Sequence, residues 1–121
     1  MEGMLPETDK KLSALADLLH SHKGQEIAVL DLRSFNGWTD FFIIATASSK
    51  IHIDGLERHI KEFCYDNDID ILGFSHKSAD DEWRLIDLGS IIIHLMSSNF
   101  REFYDLERLW RPVRDLPPNK D

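Results

Sequence analysis

Read from the N-terminus, the apolar positions first recur with helical spacing. Leu12, Leu15, Ala16 and Leu19 stand at i, i+3, i+4 and i+7, one stripe of a helix with Thr8 as candidate N-cap and Gly24 as its stop. The pattern then turns β-like. Residues 27–32 and 41–47 are rich in β-branched and aromatic side chains, and the turn signal Asn36-Gly37 lies between them. The second run is almost unbroken in apolarity, which predicts an interior strand covered on both faces. Helical spacing returns in Ile53, Leu56, Ile60, Phe63 and Cys64, with Ser48 and Ser49 as caps and an end near Asp66-Asn67. A short strand over 69–74 follows, then a polar stretch, Ser75-His76-Lys77-Ser78-Ala79-Asp80-Asp81. Ser97, Ser98 or Asn99 caps a last helix in which Phe103, Leu106 and Trp110 form the stripe, and Pro112 stops it.

The most informative stretch runs from Leu85 to Leu95, where two β-rich runs meet at Gly89-Ser90. Gly89 supplies the positive φ of a tight turn, and a two-residue loop makes the flanking runs antiparallel neighbours. Leu88 then lies opposite Ile91, Ile86 opposite Ile93 and Arg84 opposite Leu95, an almost wholly aliphatic face. The other face carries Trp83, Leu85 and Asp87 beside Ile92, His94 and Met96. That mixture is too polar for a dry core and too apolar for ordinary solvated surface, and it reads as a docking face. The competing reading is a second helical layer over the same face, with Trp83 a core aromatic. A three-residue loop would exchange the two faces.

The element order is helix, two strands, helix, short strand, hairpin, helix, without internal repeats. It predicts an α+β fold: a single domain with a mixed sheet of about five strands and flanking helices. The domain is expected to span 1–111. Residues 112–121, with Pro117-Pro118, are expected to be a loose tail.

Composition narrows the function. A chain of 121 residues supports one domain with a core stable without staples. With 42% hydrophobic and 30% charged residues, disorder is not the default. The net charge of −8 disfavours nucleic acid as the main contact and favours a basic protein partner. Cys64 is the single cysteine, so neither an internal disulfide nor a thiolate metal cluster can form. The N-terminus has neither the basic start and apolar run of a secretory signal nor the arginines of a transit peptide. No segment reaches the roughly 20 apolar residues of a membrane span, so a cytoplasmic protein is expected.

Chemistry is hard to find. Among six histidines none has the i, i+4 partner and intervening Glu of a helical zinc site, and His52 and His59, seven apart, read as two solvated residues of one helical face. Asp68 and Asp70 form a D-x-D pair that could hold magnesium, but no Gly-rich phosphate cradle precedes it and no Walker lysine is present. Turn preference explains these residues better. Asp80-Asp81-Glu82 would rim the proposed face with negative charge. No serine lies in an elbow motif, and Cys64 has no local activator. No catalytic residue, metal ligand or cofactor is expected. The runner-up is a metal-dependent nucleotidyltransferase-like enzyme using Asp68 and Asp70. A third reading is an RNA binder using Lys50, Arg58 and Lys61.

Taken together, four blocks resemble the ribosomal silencing factor family, also called the Iojap family: Thr39-Asp40-Phe41-Phe42-Ile43-Ile44, Ser48-Ser49-Lys50, the hairpin from Trp83 to His94, and Phe103-Tyr104-Asp105-Leu106-Glu107-Arg108-Leu109-Trp110. They cover about two thirds of the chain in the family's order. Two connections depart from its pattern: Thr46-Ala47 stands where Gly-Thr is common, and His76-Lys77 where Glu-Gly is common. The resemblance implies a nucleotidyltransferase-like fold without that superfamily's catalytic carboxylates. It implies docking on the large ribosomal subunit through ribosomal protein uL-fourteen, so that the small subunit cannot join and translation is repressed, with a further part in subunit biogenesis. It also implies homodimers. In such an interface a central Trp is the expected anchor, which makes Trp83, Leu85, Asp87, Ile92, His94 and Met96 the candidate partner-binding residues.

Overall fold

A computed structural model describes residues 6–35, 39–76 and 82–110. The first helix, α1 (Pro6–Ser21), begins before Thr8, because proline has no N–H to satisfy and its fixed φ suits a first turn. Its stripe buries Leu12, Leu15 and Leu19. The chain leaves α1 through Lys23, whose φ is 71°. Gly24 serves for a different reason than left-handed geometry: its N–H donates to the Leu19 carbonyl at 2.7 Å, and a Cβ there would sit 2.8 Å from that oxygen.

Strand β1 (Gln25–Asp31) starts earlier than the sequence indicates and carries an irregularity between Gln25 and Ala28. A short 3-10 turn (Arg33–Phe35) leads towards β2 (Phe41–Ala47), which is buried at every position, as its unbroken apolarity requires. Helix α2 (Lys50–Asp66) is capped by Ser49, whose Oγ accepts the His52 N–H at 3.0 Å, and buries Ile53, Leu56, Ile60 and Cys64. Next come β3 (Gly73–His76), β4 (Trp83–Asp87) and β5 (Ile91–Ser97), then α3 (Ser98–Tyr104) and α4 (Leu106–Trp110).

The five strands form one mixed sheet in the order β1-β2-β5-β4-β3. Only β2 and β5 run parallel; the other neighbours are antiparallel. The β4–β5 hairpin has the expected register, with Arg84 opposite Leu95, Ile86 opposite Ile93 and Leu85 opposite His94. Leu88 N–H donates to the Ile91 carbonyl at 2.9 Å across the loop, and Gly89 has a φ of 92°.

Two elements differ from the sequence reading. The short strand lies at 73–76 rather than 69–74: Ile69 N–H bonds back to the Cys64 carbonyl at the end of α2, so Ile69 and Ile71 pack on the core outside the ladder. Their apolarity reports burial, while Ser75 and His76, expected in a loop, pair with β4. The single last helix is broken by Asp105, which adopts a left-handed φ of 44°. The turn Asn36-Gly37, the stretch 77–81, Pro112 and the tail 112–121 lie outside the described residues.

The sheet carries two cores. On one face α1 and α2 cover Phe41, Ile43 and Ala45 of β2 and the aliphatic hairpin residues Ile86, Ile91, Ile93 and Leu95. Arg84 points to this face, buried, with its guanidinium paired to Asp54 and Glu57 of α2. On the other face a smaller core joins Phe42, Ile44, Ile92 and Met96 to Leu32 and Leu106.

Candidate docking face

Alternation along β4 sends Trp83, Leu85 and Asp87 to the face away from α1 and α2, and all three are half-buried. The β5 residues of the same face behave differently. Ile92, His94 and Met96 are buried, His94 only 3% exposed, so they cannot be contact residues with exposed side chains. The cause is the pair α3–α4, which folds back over β5 and β2 and covers β4 only in part: Trp83 and Leu85 pack against the same core and stay partly exposed. A helical layer and an open surface, opposed alternatives in sequence, divide the face between them.

Arg101 holds that layer. Its buried guanidinium donates to Thr46 Oγ1 of β2 at 3.0 Å and to Glu107 Oε2 of α4 at 2.6 Å, crossing the break at Asp105. Ser97 fixes the entry to α3: its Oγ accepts the Phe100 N–H at 3.1 Å and donates to Glu82 Oε1 at 2.8 Å. With α3 so placed, Phe100 and Tyr104 face one way at i, i+4, and Tyr104 meets Trp83 at 4.9 Å between ring centroids. Phe103 turns outward, 80% exposed, 5.0 Å from Tyr104.

Phe103 is therefore not part of a core stripe, as its spacing from Leu106 and Trp110 indicates in sequence. Tyr104 and Phe103 extend the apolar surface beside Trp83 and escaped the sequence reading. The available signal was weak: Phe103 and Tyr104 lie about 100° apart on a helix, which widens the apolar arc without saying which of the two faces the core. Below this surface the Trp83 Nε1–H donates to His94 Nδ1 at 3.0 Å, and the His94 ring stands edge-on to Phe42 at 4.4 Å. Charge around it is negative. Glu82 lies at its edge; on the β1 side of α3, away from Trp83, a shallow cleft is lined by Glu26, Glu102, Asp105 and Glu107 together with Arg101, which is paired to Glu107.

The residues weighed for other chemistry are spread apart. Asp68 and Asp70 are exposed on the connection from α2 to β3, with Asp68 at a left-handed φ of 57°. His52 is not a solvated residue: Nδ1 accepts the Ser48 N–H and Nε2 donates to the His22 carbonyl, both at 2.9 Å. The His22 and His59 rings stack at 3.5 Å, tying the turn after α1 to α2. Burial pushes the Cys64 thiol above its ordinary pKa, the opposite of what a nucleophile requires. Lys50 pairs with Asp54, and Lys61 with Glu57, which offsets the basic strip on α2. No helix among the described residues is long and apolar enough to cross a membrane.

Comparison with known proteins adds the family. The model of a family described as "Ribosomal silencing factor during starvation" matches residues 6–121. A ribosomal silencing factor from Treponema pallidum is 34% identical over 100 residues, covering 82% of this chain and 88% of that protein. A mouse protein named "Mitochondrial assembly of ribosomal large subunit protein 1" is 32% identical over 105 residues, 82% of this chain and 44% of its own longer sequence. A crystal structure of a Chromobacterium violaceum protein, 29% identical, superposes with a TM-score of 0.75 over 84% of each chain. A match extending from the first helix to the last residue, on a shared five-stranded architecture, shows that this chain belongs to the ribosomal silencing factor family.

Proposed function

We propose that this protein represses translation in the cytoplasm by binding the large ribosomal subunit through ribosomal protein uL-fourteen and occupying the surface that the small subunit must reach. The observation that carries the reading is Trp83: a partly exposed indole on the partly covered strand β4, packed against Tyr104, which in turn meets the exposed Phe103. Large aromatic side chains with a polar surround make interface anchors. A net charge of −8 suits a basic ribosomal protein, attracting it at long range while apolar burial holds it.

Repression by occupancy needs binding and no chemistry. The same occupancy would keep immature large subunits from pairing early, which gives the family its part in biogenesis; the mouse relative's name speaks of large-subunit assembly. A pair of copies meeting through this face would compete with the ribosome. A pull-down from purified large-subunit proteins tests the partner. Wild-type protein should retain uL-fourteen and Trp83→Ala should not; equal retention by both would place the contact elsewhere.

A further inference from the structure

Trp83 is held from two sides. Tyr104 packs against its ring with centroids 4.9 Å apart and planes tilted by 48°, and the Nε1–H is taken up by His94 Nδ1 at 3.0 Å. His94 itself is enclosed between the sheet and the helical layer, edge-on to Phe42, and cannot touch a macromolecule arriving at the surface. Neutral imidazole accepts at one nitrogen and donates at the other, and here the accepting nitrogen is the one turned to the indole. Filling space under Trp83 would need only an apolar side chain. What an imidazole adds is a fixed acceptor for a surface donor.

We propose that His94 is a positioning residue for ribosome docking: its bond to Nε1 holds the Trp83 indole in the orientation presented to the partner. The proposal rests on the reading of Trp83 as the anchor. An indole loose about its two χ angles must be immobilised when the complex forms, and that lost freedom weakens binding. With the indole already held, the loss is taken on folding.

His94→Phe and His94→Leu remove the acceptor and keep apolar bulk; His94→Asn places its Oδ1 near the position of Nδ1 and restores it. Two readouts separate positioning from stability. Solution NMR with labelled tryptophan follows the indole N–H of Trp83, assigned with Trp83→Phe, and equilibrium sedimentation with purified large subunits measures affinity. In the Phe and Leu variants the indole proton should lose its exchange protection and binding should weaken about three- to tenfold. His94→Asn should recover both. A folded Phe or Leu variant that binds like the wild type while Trp83→Ala fails to bind overturns the positioning role alone. Normal binding by Trp83→Ala overturns the anchor reading and this proposal with it, whatever the indole proton shows.

Discussion

Arg84 lies on a face that is otherwise aliphatic, and the helix above it supplies two carboxylates, Asp54 and Glu57, to neutralise it. Arg84→Ala removes the buried guanidinium's hydrogen bonds to both carboxylates, which keep Lys50 and Lys61 as partners, so it should destabilise the fold by about 1–3 kcal/mol, read as a lowered midpoint in urea. Ile86→Asp or Ile93→Asp should prevent folding altogether, because both positions are fully buried and offer a carboxylate no partner. A soluble, cooperatively melting Ile93→Asp protein would mean that the two sheet faces are assigned the wrong way round. Cys64 should react with a thiol reagent only on unfolding, since burial both shields it and raises its pKa. Residue spacing made these positions legible: Ile86 and Ile93 follow from period-two alternation about one turn, and Cys64 from a helical stripe. His94 was placed on its proper face by the same rule, yet its burial was not legible, because alternation says which way a side chain points and not what covers it.

At the scale of elements, the fold is most legible where one period runs without interruption. The β4–β5 hairpin and α2 agree with their patterns in register and ends because Gly89, Ser49 and Asn67 mark boundaries with local chemistry. The departures occur where apolar residues are buried outside regular structure. Ile69 and Ile71 are such a case, and β3 moved accordingly. The last helix broke because Asp105 takes a left-handed conformation, which the spacing of Phe103, Leu106 and Trp110 does not encode. Asp and Asn tolerate that region better than most residues, and glycine best. Asp105→Gly should therefore leave stability within about 1 kcal/mol of wild type, whereas the β-branched Asp105→Val should lose about 1–2 kcal/mol. Thermal melts of the pair decide this, and equal losses would show that the carboxylate rather than the backbone matters.

The whole molecule pairs a net negative charge with the aromatic area of Trp83, Phe103 and Tyr104, and each half has its own experimental signature. Long-range attraction raises the association rate at low salt, while buried aromatics set the dissociation rate. Stopped-flow association with large subunits should slow several-fold between low and physiological salt, with dissociation changing little. Asp68→Asn with Asp70→Asn should leave dissociation unchanged and slow association only modestly, since both carboxylates are exposed and contribute net charge alone. The most direct measurement is a sucrose-gradient profile of separated ribosomal subunits brought together with wild-type protein or Trp83→Ala, without added nucleotide. Wild-type protein should keep the subunits apart and sediment with the large one, and a folded Trp83→Ala protein should do neither. Full joining in the presence of bound wild-type protein, or separation sustained equally by Trp83→Ala, would contradict the account.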